Sequence, residues 1–69
     1  MIAVFRTNVN RKKDADKLIR HLLVHYPDGR INFDLQDCDK ILRVDTEVSH
    51  PQKIINLINE HGFSCNELE

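Results

Sequence analysis

The apolar residues of this 69-residue chain recur first at every second position and then at helical spacing, and the chain runs through that succession twice. Ile2 to Thr7 reads as a strand, with Ala3, Phe5 and Thr7 on one face and Ile2, Val4 and Arg6 on the other. From about Arg11 to Tyr26, the residues Ala15, Leu18, Ile19, Leu22 and Tyr26 fall on one stripe of a helix. Asn10 is placed to cap that helix, and Val9 to tuck beneath it. Asp14 near its start and His25 near its end suit the helix dipole. Pro27-Asp28-Gly29 stops it.

Alternation returns from Arg30 to Gln36, where Ile31, Phe33 and Leu35 point one way and Asn32, Asp34 and Gln36 the other. The polar turn Asp37-Cys38-Asp39-Lys40 leads into a strand from Ile41 to Thr46, with Leu42 and Val44 inward, completing a β-hairpin. Ser49 stands three residues before Gln52, a capping-box spacing for a second helix. Pro51 occupies its first turn, and Ile54, Ile55, Leu57 and Ile58 form its apolar side. Gly62 is placed for a left-handed C-terminal cap, and Phe63 to Glu67 reads as a closing strand. Leu68-Glu69 is set aside as an added tail.

Two β-α-β crossovers joined by a hairpin have few solutions, because such crossovers are right-handed in about 98% of cases. The expected fold is α+β: a ferredoxin-like βαββαβ sandwich, a four-stranded antiparallel sheet of order 4-1-3-2 with two helices on one face. The whole chain, 1–69, is read as one domain. This topology gathers the loop at Val9–Asp14, the turn at Cys38 and the turn at Gly62 at one end, where a site is expected.

Composition narrows the function classes. A chain this short buries only about 60% of the surface its unfolded form exposes, so its core is thin. A net charge of −1 gives no global attraction to nucleic acid or to an anionic membrane. The run Leu22-Leu23-Val24 is far too short to span a bilayer, and Arg6 interrupts the early apolar segment that a signal peptide would need. Cys38 and Cys65 lack a secreted disulfide pattern, which points to a reducing cytoplasm.

With strand, loop, helix and the ending Ile58-Asn59-Glu60-His61-Gly62-Phe63 in place, the chain resembles the heavy-metal-associated domain of copper chaperones and metal-pumping ATPases. The resemblance covers nearly the whole chain. Members carry a Gly-Met-Thr-Cys-x-x-Cys-like loop between the first strand and helix, and Asn8-Val9-Asn10-Arg11-Lys12-Lys13-Asp14 falls in register with it. Arg11 and Asp14 occupy the two cysteine places. Cu(I) prefers thiolates, and a guanidinium offers no lone pair, so the resemblance implies a scaffold whose soft-metal site is lost. Three apart at the helix start, Arg11 and Asp14 are positioned to pair, worth about 0.2–0.5 kcal/mol when exposed.

The resulting expectation is a non-enzymatic binding or regulatory module. It requires no cofactor and contacts a protein partner through Val9, Arg11, Lys12, Lys13 and Asp14. Nucleic acid and membrane are excluded as partners; too few aromatics remain beyond the core for a base-stacking surface. The alternative is a metal-ion binding or transport protein using non-standard ligands such as His61, Cys65 or Cys38, completed by a partner. Cys38 and Cys65 should lie two strand spacings apart or more, about 10 Å, too far for a disulfide. His21 and His25, one helical turn apart, have the spacing of His-Glu-x-x-His, but Leu22 stands where its general base would be.

Overall fold

A computed structural model of the chain describes residues 2–47 and 50–68. The elements are β1 (Ile2–Thr7), α1 (Lys12–His25), β2 (Arg30–Asp34), β3 (Ile41–Asp45), α2 (Pro51–Glu60) and β4 (Cys65–Leu68). The strands form one antiparallel sheet of order β2-β3-β1-β4, the expected 4-1-3-2 order seen from its other edge. The fold is the α+β ferredoxin-like arrangement.

β1 lies at the centre of the pairing, with Phe5 opposite Leu42 on one side and Glu67 on the other. Its alternation divides the sheet into two faces. Ala3 and Phe5, with Leu42 and Val44 of β3 and Cys65 of β4, face Ala15, Leu18 and Leu22 of α1 and Ile54, Leu57 and Ile58 of α2. Both helices therefore cover one face. Ile31, Phe33 and Leu35 pack against this core while staying half-exposed, because β2 is an edge strand.

The helix ends differ from expectation. α1 begins one residue later than Asn10 would set it: Arg11 is the N-cap residue, in extended conformation (φ −107°, ψ 135°), and no side chain caps the helix. The start is fixed instead by the buried Val9 and by Arg11 C=O accepting the Ala15 N–H at 3.0 Å. At α2, His50 is the N-cap residue and Pro51 opens the helix, as expected; the Ser49 cap lies outside the described residues. The C-terminal end of α2 matches the sequence reading closely. Gly62 adopts φ 89° and donates to Asn59 C=O at 2.9 Å, while Phe63 N–H reaches Ile58 C=O at 3.3 Å. This bond pattern is a Schellman cap, and it turns Phe63 back onto the core.

The closing strand spans Cys65–Leu68 rather than Phe63 to Glu67, and Leu68 is in register with Val4. Leu68 is thus part of the sheet. Gly29 has a packing role after α1: a Cβ there would meet Thr46 Cγ2 at 2.9 Å and Tyr26 C=O at 3.0 Å. No helix among the described residues is long and apolar enough to cross a membrane.

Leu22 is fully buried, whereas Val24 on the same helix is 77% exposed. Leu22→Ala is expected to lower unfolding free energy by about 2–5 kcal/mol, and Val24→Ala by no more than about 0.5 kcal/mol. Chemical denaturation of the two variants checks the assignment of the faces. At Gly62 nothing lies within 4 Å of an added Cβ, so Gly62→Ala should cost only the left-handed backbone strain, about 1–2 kcal/mol in the same experiment.

Candidate functional site

The end of the molecule expected to hold a site is built around the last residue of β1. Thr7 is buried, its N–H donates to Asp39 C=O at 3.1 Å, and its Oγ1 donates to Lys40 C=O at 2.6 Å. The same Oγ1 accepts the Val9 N–H at 3.3 Å. Next door, Asn8 Oδ1 accepts the Ser64 N–H at 2.8 Å. Two consecutive side chains thus tie the β1–α1 loop to the hairpin turn and to the start of β4. The three connections do meet at one end.

Within the β1–α1 loop the candidate contact residues separate. Val9 is fully buried in the core, so it holds the loop from below and offers no surface to a partner. Arg11, Lys12 and Lys13 are exposed around the first turn of α1, and Asp14 is half-buried. Arg11 and Asp14 form no ion pair; the salt bridge at this end joins Arg6 Nε to Asp39 Oδ1 at 3.3 Å. No thiol belongs to this loop. Its cations gather where the helix dipole already favours negative charge, which sets the field against any metal cation.

The hairpin turn has more internal structure than its sequence suggested. Asp37, Cys38 and Asp39 bring their ligand atoms within 4.8 Å of one another. The carboxylates nevertheless serve the turn: Asp37 Oδ1 accepts the Asp39 N–H at 2.8 Å, Asp34 Oδ1 accepts the Gln36 N–H at 3.3 Å, and Asp39 pairs with Arg6. Lys40, at φ 49°, sends its Nζ back to Leu35 C=O at 2.8 Å. Asp-x-Asp is the readable signal here, since Asp side chains bond backbone N–H groups two residues on; plain turn reasoning passed over it.

The alternative metal ligands also separate. Both cysteines are free, Cys38 exposed in the turn and Cys65 buried on β4 opposite Thr7. Burial pushes the Cys65 thiol up to about 12 from its ordinary 9.0, so it holds its proton and is a poor thiolate donor. His61 precedes the Schellman turn, and its ring packs against that of His21 of α1. The two imidazole centroids are 4.4 Å apart and the planes are inclined by 50°. Sequence spacing pairs His21 with His25, one turn along the same helix; only the packing of α1 on α2 brings His61 to it.

No family model, curated protein or solved structure matches this chain.

The two thiols give a direct check. Cys38 should react with a disulfide reagent at the rate of a free thiol, and Cys65 only on unfolding. Because the folded thiol keeps its proton to about 12 while the unfolded one ionises near 9.0, the contribution of Cys65 to stability is intact below pH 9 and is lost progressively from pH 9 to 12. Denaturation midpoints across that range should fall less steeply in Cys65→Ala than in the parent chain or in Cys38→Ala.

Proposed function

We propose that the chain is a small, cytoplasmic, non-enzymatic module of heavy-metal-associated type. Its β1–α1 loop has exchanged soft-metal binding for docking of an acidic protein surface. The observation that carries this reading is the exposure of Arg11, Lys12 and Lys13 together around the first turn of a helix whose start is fixed by buried Val9. The loop keeps the shape of a site and reverses its charge. A dithiolate site would need two deprotonated sulfurs where Arg11 and Asp14 now stand, and Cys65 is both buried and protonated. The exposed cations instead suit carboxylates on a partner, where Arg forms two parallel bonds to one carboxylate and Lys acts as a point charge.

Support for a binding module over an enzyme comes from the residue types at this end. Thr7, Asn8 and Asp39 all have backbone or side-chain partners that hold the loops. The alternative, metal handling through His61, Cys65 or Cys38, is weakened for Cys65 by its burial, which holds the proton on its thiol.

Titration with Cu(I) against a competing chelator tests the first half of the proposal. The expected result is no stoichiometric binding at sub-micromolar concentration; such binding would overturn it. The double variant Arg11→Cys/Asp14→Cys should gain it. The docking half is tested by NMR shift mapping with a Glu-rich peptide. Shifts should centre on the backbone amides of residues 11–14 and vanish when Arg11, Lys12 and Lys13 are changed to Glu.

A further inference from the structure

A second feature lies away from the β1–α1 loop, at the junction of the two helices. His21 projects from the C-terminal half of α1 and is exposed; His61 is half-buried at the C-terminal cap of α2. Their ring centroids are 4.4 Å apart. Nothing in the fold demands two imidazoles here, since neither belongs to the buried core. We propose that His21 and His61 form a two-histidine binding site for a borderline divalent transition-metal ion of the zinc class.

The geometry suits such an ion. An imidazole nitrogen sits about 2.0–2.1 Å from zinc, so two rings on one tetrahedral ion have centroids about 5 Å apart. The observed separation lies within a small side-chain rotation of that value. His21 is exposed and free to make the rotation, while His61 sits on a fixed base. Its N–H is bonded to Ile58 C=O at 3.1 Å, and the next two residues close the Schellman cap. Exposed water completes the coordination.

The chemistry suits it too. Neutral imidazole is a ligand for zinc, nickel and copper(II), whereas Cu(I) is better served by thiolates. Neither cysteine competes here, because Cys65 is buried and protonated and Cys38 belongs to the β2–β3 turn. The cations at Arg11, Lys12 and Lys13 lie at the N-terminal end of α1, before His21 by more than a turn of helix. The site therefore does not depend on the loop reading, and either can fail without the other. An ion held by His21 and His61 would clip α1 to the end of α2, so it binds the folded chain and stabilises it.

The test uses the full chain, freed of metal, titrated with Zn2+ alone in a non-coordinating buffer. The expected result is one equivalent bound, imidazole shifts at His21 and His61, and a thermal midpoint that rises with zinc. His21→Ala should weaken binding at least tenfold and abolish the rise; because His21 is exposed, this variant keeps its fold, and a backbone NMR spectrum confirms that. His61→Ala should weaken binding to a similar extent, and His50→Ala, at the other end of α2, should leave it unchanged. Zinc binding that survives His21→Ala or His61→Ala overturns the proposal. So does binding that moves only His25, or that maps to Asp37, Cys38 and Asp39.

Discussion

Everything in this small sheet depends on β1 being paired on both edges while its inner face is buried. Phe5 lies at the middle of that strand, fully buried, with Leu42 and Glu67 as its neighbours in register. A side-chain period of two means that a slip of one residue would turn Phe5 outward and bring Val4 or Arg6 in. The register is therefore set by the cost of burying Arg6 as much as by the gain from burying Phe5. Once β1 is fixed, β3 and β4 can only take its two edges, and β2 follows through the hairpin. With a core this thin, few other contacts could set the order.

The end of β1 then does a second job. Thr7 and Asn8 use side-chain and backbone hydrogen bonds to hold the hairpin turn and the start of β4 against the β1–α1 loop. Each of these groups would be costly to bury unpaired. Satisfying them across three connections gives the loop a defined shape. Polar bonds and the buried Val9 position the loop, and its exposed residues are left free to carry charge.

That division separates the two chemistries proposed for the molecule. The start of α1 concentrates positive charge and helix dipole, and so favours carboxylates. The junction of α1 with the end of α2 offers two imidazoles, one of them seated on the α2 cap, and so favours a borderline cation. The same helix presents both, one near its N-terminus and one farther along, separated well enough that neither field cancels the other.

Much of this was written in the chain by itself. Alternation over Ile2–Thr7 and Ile41–Asp45, helical spacing over Ala15–Leu22, and Gly62 before Phe63 determined the elements, their buried faces and the cap, because these are local consequences of side-chain period and backbone freedom. The order of those elements then limited the topology. Local reasoning failed where a local signal was outweighed. Asn10 has the better capping side chain, yet burying Val9 set the helix to begin after Arg11. Leu68 looked dispensable until its pairing with Val4 made it a sheet residue. What tertiary structure alone decided are the contacts between segments distant in sequence. Thr7 bonding to Lys40, Asn8 to Ser64, and His21 facing His61 all depend on how the helices and strands pack, and no period or spacing along the chain encodes them.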